Sequence, residues 1–196
     1  MKKLLAIAVV AGFLVPAIAG AEAGLTGKGI KLGLNMANVS GSDVSDDAEM
    51  NLGIALGGYG TWTVNEAFAV QPEIYYSQKG YSVNDVNMNL AYLDIPVLAK
   101  WTPAMAGEVK PNLYGGVSLG ILLSAEVEND GDTSDIKDQV AGTDLGLVLG
   151  VGADMVISGQ KFNGDIRYDM GLSKLGKEGD GKVYNSVISV LVGYGF

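Results

Sequence analysis

The 196-residue chain contains no cysteine and no histidine. The first absence excludes disulfide scaffolds, thiolate metal sites and cysteine nucleophiles. The second removes the commonest general base and the commonest metal ligand at neutral pH, so a Ser-His-Asp hydrolase is excluded. Charge is scarce: Asp, Glu, Lys and Arg make up 18% of the chain, against about 25% in typical soluble domains. Positive charge is scarcest, with 13 Lys and Arg against 22 Asp and Glu and a net charge of -9. Phosphate backbones are poor partners for such a surface, and no nucleic acid is expected. Glycine is abundant, with 29 residues, roughly double the usual share of about 7%. It lacks the Gly-X-Y period of collagen.

The N-terminus indicates the compartment. Met1-Lys2-Lys3 is basic, residues 4–19 are almost wholly apolar, and Ala19-Gly20-Ala21 is a small-x-small pattern. This is the three-part layout of a secretory signal peptide. An anchor helix is the alternative, but the stretch falls short of the roughly 20 residues of a span, and Pro16 interrupts it. Residues 1–21 are expected to be cleaved, leaving residues 22–196 as one barrel domain. Cleavage after Ala19 or Ala23 would shift that start slightly. No later apolar run is long enough for a spanning helix, so any membrane insertion must use strands.

From Gly29 onward, apolar residues alternate along eight segments: 29–39, 51–64, 67–79, 90–101, 110–124, 143–157, 161–175 and 183–196. Leu145, Leu147, Leu149 and Val151 show the pattern, with Gly146, Gly150 and Gly152 between or beside them. A helix with that many glycines would lose about 1 kcal/mol at each. Gly58, Gly60 and Gly164 fall on the apolar face and are expected to mark bulges or bends.

The connections are long at 40–50, 80–89, 125–142 and 176–182, and tight at 65–66 and 158–160. Thr102 to Val109 is of medium length. In up-and-down order the long loops gather at one end and the short turns at the other, as in outer-membrane barrels.

A soluble eight-stranded barrel also alternates, with its apolar face inward. Here the other face carries Gly33, Ala37, Gly53, Ala55, Gly57, Gly116, Ser118, Gly120, Gly193 and similar small residues. Small residues suit the interior of an eight-stranded barrel, which side chains just fill. A solvated outer face would instead be rich in Lys, Glu and Thr. The aliphatic face is therefore assigned to lipid. Trp62, Phe68, Trp101, Phe162, Tyr194 and Phe196 gather near the short-turn rim, where an interfacial girdle belongs. Tyr76 and Tyr81 approach the other rim. The fold class expected is an all-β, eight-stranded, antiparallel, up-and-down transmembrane barrel.

Several stretches carry a family resemblance: Gly29-Ile30-Lys31-Leu32-Gly33-Leu34-Asn35, Gln71-Pro72-Glu73-Ile74-Tyr75-Tyr76-Ser77-Gln78-Lys79-Gly80, Leu93-Asp94-Ile95-Pro96-Val97-Leu98-Ala99-Lys100 and Lys110-Pro111-Asn112-Leu113-Tyr114-Gly115-Gly116. Through them the chain resembles the outer-membrane β-barrel domain family of PorT-like proteins, within the small eight-stranded barrels similar to OmpA and OmpX. The terminal Val192, Tyr194 and Phe196 resemble the signal read by the barrel-assembly machinery. The resemblance implies a Gram-negative outer membrane. Its lipid and lipopolysaccharide would be the surroundings, and the assembly machinery a partner during biogenesis.

The polar face carries Lys31, Glu73, Lys79, Asp94, Lys100, Asp144, Asp154, Asp165, Arg167 and Asp169. Such groups could line a pore, but a barrel this narrow favours an ion-pair network that closes it. Glu73 and Arg167 each lie six residues into strands that rise from the same rim and stand four apart in a ring of eight. Arg167 is expected to be the hub of a cluster with Glu73, Asp94, Asp165 and Asp169, with Lys100 in the same network. No nucleophile or base accompanies the carboxylates, so no enzyme is expected. The run Glu126-Val127-Glu128-Asn129-Asp130-Gly131-Asp132 loosely resembles a calcium loop, but Lys137 stands where the bidentate Glu should be. It reads as a solvated acidic loop, as does the group Asp43, Asp46, Asp47 and Glu49. No metal and no cofactor are expected. The reading is a monomer with a structural or interaction role. The alternative is a narrow channel or transporter for small or apolar solutes.

Overall fold

The computed structural model describes residues 24–45, 47–84, 86–177 and 181–196. The expected signal segment, Asp46 and Asp85 lie outside them. Among the described residues nine strands follow one another: β1 (Gly24–Ser40), β2 (Ala48–Thr63), β3 (Phe68–Val83), β4 (Val86–Trp101), β5 (Val109–Asn129), β6 (Asp132–Asp135), β7 (Thr143–Ile157), β8 (Gln160–Gly171) and β9 (Tyr184–Gly195). No helix forms among the described residues. Each long strand pairs antiparallel with its chain neighbour, β5 pairs with β7 across the β6 excursion, and β9 returns to pair with β1. Eight strands thus close a barrel and leave no free edge within it.

Burial is inverted relative to a soluble protein. Leu32 is 56% exposed and Leu52 71%, whereas Lys31 beside the first is 2% exposed and Glu73 3%. In water this arrangement would expose the residues that most need burial and desolvate those that most resist it. In lipid the same alternation is the stable one.

The two ends differ. At the turn end, β7 and β8 are joined by Ser158 and Gly159 with φ of +51° and +79°, the mirror-type turn that suits strand twist. Asn65 Oδ1 accepts from the backbone N–H of Ala67 and Phe68 at 2.9 and 3.0 Å and so closes the β2–β3 turn. The aromatic girdle sits here. Phe68 pairs across strands with Trp101. Phe162 meets Tyr194 edge-on at 5.7 Å, and Lys28 lies 5.4 Å from the Phe196 ring centroid. At the loop end, Val39, Leu90, Tyr92, Leu122, Ala125, Val140 and Leu175 form a buried apolar cap over the lumen. The segments before β7 and after β8 cross it. Ala141 N–H donates to the Leu175 carbonyl at 2.8 Å, and Lys177 N–H to that of Gln139 at 3.0 Å.

Four features differ from the sequence expectation. Residues 80–89 are mostly strand, because β3 and β4 stay paired out to Val83 and Val86. The acidic run 126–132 is a hairpin of β5 and β6 turning on Asp130 and Gly131, with φ of +51° and +87°. Both stretches lie beyond the apolar band, where polar side chains suit either sheet face and alternation no longer marks strand. The bulges fall between Leu25 and Gly27 in β1, between Met50 and Ala55 in β2, and at Ala91 and Tyr92 in β4. No register shift occurs at Gly58, Gly60 or Gly164. Tyr81 stands near the loop-end rim, but it packs against the apolar cap and does not join a lipid-facing girdle.

Candidate functional site: a layered ionic lumen

Inward positions of the strands stack polar side chains in three layers below the cap. Nearest the turn end, Lys100 Nζ on β4 meets Asp154 Oδ2 on β7 at 2.7 Å, and Asn112 Nδ2 donates to the same oxygen at 3.2 Å. Asn163 Nδ2 donates to the Tyr59 hydroxyl at 2.9 Å. Lys100, Asp154, Tyr59 and Asn163 border a vestibule of about 370 Å³.

The middle layer spans the barrel. Arg167 Nη1 on β8 donates to Glu73 Oε2 on the opposite strand β3 at 2.7 Å. Lys31 Nζ on β1 lies 3.0 Å from Glu73 Oε1 and 2.5 Å from Asp165 Oδ2. Gln71 Nε2 adds a third donor to Glu73 at 2.7 Å. Two cations thus face two carboxylates, all buried.

The upper layer is built on β3, β4, β7 and β8. Lys79 Nζ lies 3.1 Å from Asp94 Oδ2 and 3.6 Å from Asp144 Oδ2. Asp169 accepts from the Ser118 hydroxyl at 3.0 and 3.1 Å. Asn185 Nδ2 donates to Asp144 at 2.8 Å, and Asn35, Ser77 and Ser189 form a neutral chain beside the layer. Room for these carboxylates comes from glycine. A Cβ at Gly146 would stand 2.2 Å from Asp169 Oδ1, and one at Gly152 would stand 2.4 Å from Asp165 Oδ1.

The expected single hub at Arg167 is therefore two clusters and a rim pair. Arg167 holds Glu73, with Asp165 at 3.9 Å. Asp94 is taken by Lys79, because the register sets it opposite Tyr75, above Glu73; Asp169, two residues past Arg167 on the same strand, is taken by Ser118. Lys100 belongs to the separate pair near the turn end.

Sequence reasoning missed the lumenal tyrosines. Lys31 lies 5.0 Å from the Tyr59 ring centroid and Lys79 lies 4.9 Å from that of Tyr92. The Arg167 guanidinium stands between Tyr75 and Tyr114, at 5.4 and 5.6 Å. Such contacts favour cations that have lost water. The signal was present: Tyr75 shares the parity of Glu73, and Tyr92 that of Asp94, so alternation turns their rings inward. Among the described residues no group of carboxylates is arranged to hold a metal ion.

The family model for the outer membrane protein beta-barrel domain matches residues 26–176. The chain belongs to that family. Solved structures of the same architecture include Neisserial surface protein A, 18% identical, with TM-score 0.57 over 88% of this chain and 99% of that one. OprG from Pseudomonas aeruginosa is 14% identical, with TM-score 0.52 over 90% and 98%. At these identities the likeness concerns the fold. No curated protein matches the chain significantly. The match is to the domain family as a whole, with no finer assignment to its PorT-like members.

Proposed function

We propose that the protein is a closed, non-catalytic outer-membrane post, with its acidic loop end outside the cell and its lumen impassable to solutes. One observation carries this reading. The Arg167–Glu73 contact of 2.7 Å runs across the barrel, and the space left beside it is a cavity of about 30 Å³. That is room for about one or two waters. The apolar cap adds a second obstruction at the loop end. Export by a cleaved signal at residues 1–21, insertion through Val192, Tyr194 and Phe196, and a monomer within lipid and lipopolysaccharide complete the proposal. The loop-end charge supports an interaction role. The β5–β6 hairpin alone presents Glu126, Glu128, Asp130, Asp132 and Asp135. The test is single-channel recording of the purified protein in planar bilayers. No conductance above the bare membrane is expected; stable ion-conducting openings would overturn the closed-post reading in favour of a narrow channel.

A further inference from the structure

The middle layer of the lumen is charge-balanced; the upper layer is not. Lys79 pairs with Asp94 and Asp144, while Asp169, lining the same cavity, is held only by the Ser118 hydroxyl, so three carboxylates stand beside one ammonium. Asp94, Asp144 and Lys79 are at most 6% exposed, and Asp169 is mostly buried. The groups facing this cluster come from every wall. β3 supplies Lys79 and Tyr75, β4 supplies Asp94 and Tyr92, β7 supplies Asp144, β8 supplies Asp169 and, from below, Arg167, and β2 only the apolar Ala55. β1, β5 and β9 contribute only the neutral Asn35, Ser118, Asn185 and Ser189. Arg167 is committed to Glu73 at 2.7 Å, so it does not offset the excess. Two uncompensated negative charges in a low-dielectric interior are costly enough that the site must recruit positive charge.

Two further observations say what form that charge takes. Asn185 is 3% exposed; its Nδ2 donates to Asp144, yet its Oδ1 has no partner. A protonated Asp144 would find an acceptor in this Oδ1 once the amide turns over. Beside Asp94 and Asp169 lies the cavity of about 30 Å³, also lined by Arg167, whose Nε has no partner. One water there would join the two layers. The carboxylates do not converge as a metal cage.

We propose that Asp94, Asp144 and Asp169, gathered around Lys79, form a proton-binding site inside the barrel. A proton from the aqueous phase adds to one carboxylate oxygen and gives a neutral carboxyl group. No other bond changes. Asp144 and Asp169 are the carriers, because Asp94 holds the closest contact to Lys79. Tyr92 ties the site to the cap: its hydroxyl lies 3.5 Å from Asn185 Nδ2 and its ring belongs to the apolar cluster.

The experiment is infrared spectroscopy of the full folded barrel in lipid bilayers at neutral pH, reading the carboxylic acid C=O stretch. The expected result is an acid band worth at least one carboxyl per chain in the unaltered protein. It should lose at least half its intensity when Asp144→Asn and Asp169→Asn are combined, and stay unchanged in Asp154→Asn. Absence of the band from the unaltered protein would overturn the proposal without recourse to any variant. A band that survives the double substitution would also overturn it. A third arm replaces sodium by choline. A band that appears only without sodium would assign the site to a metal cation instead, and a band indifferent to the exchange supports the proton.

Discussion

The middle and upper ionic layers of the lumen are neighbours built from the same residue types, yet they solve different problems. In the middle layer Glu73 receives Arg167, Lys31 and Gln71, so the charge and the donors are matched. In the upper layer Lys79 serves both Asp94 and Asp144, and the third carboxylate, Asp169, has only a serine hydroxyl. Balance makes the first a cross-brace, since each member lost leaves another stranded. Imbalance makes the second tolerant of losing a carboxylate and intolerant of losing its lysine. The contrast shows that burial alone does not make a charged group stabilising; the count of its partners does.

The largest expected effect follows from the brace. Arg167→Ala leaves Glu73 with one lysine in place of two cations, in a wall that excludes water. Removing one partner of a buried pair costs about 3–5 kcal/mol, and urea unfolding in bilayers should show a loss of that order. Replacing Arg167 and Glu73 together by methionine and leucine should recover most of it, because no charge is then stranded. A double variant no more stable than Arg167→Ala alone would break the comparison, since the loss would then come from packing.

Next come two amide substitutions that should part company. Glu73→Gln removes the acceptor of two cations and should destabilise by about 2 kcal/mol or more. Asp169→Asn removes one of three carboxylates while keeping a group that Ser118 can bond, and should change stability by less than about 0.5 kcal/mol or raise it. Equal losses would erase the distinction between the layers. Lys79→Met should behave like the brace variants, because it leaves three carboxylates without a cation.

Alternation separates Lys31 from Leu32 without structural help, and counting residues from the turn rim puts Arg167 opposite Glu73. The choice of partner for Asp94 was not legible. Its height depends on the stagger between strands and on a bulge at Ala91 and Tyr92, which no local pattern announces. Beyond the apolar band the signal fails for a different reason. Where both faces of β3, β4 and β5 meet water or one another, polar and apolar residues follow no period, and strand looks like loop. The tyrosines were legible by parity, but an aromatic on a polar face draws less notice than a charge.

The smallest expected effect sharpens the comparison from the rim. Lys100 and Asp154 make a contact of 2.7 Å, as short as that between Arg167 and Glu73, yet the Asp154 side chain is 41% exposed. If distance set the strength, the two pairs would count equally. Water at the vestibule solvates Asp154 before and after the pair forms, so the coupling is screened and a double-mutant cycle should give about 0–1 kcal/mol. The same cycle on Arg167 and Glu73 should exceed it at least threefold, because neither of those side chains keeps a solvent contact to fall back on. Raising the salt concentration should weaken the rim coupling and leave the buried one nearly unchanged, since mobile ions reach only the vestibule. A rim pair as strongly coupled as the brace would mean that the turn end is as dry as the middle of the barrel.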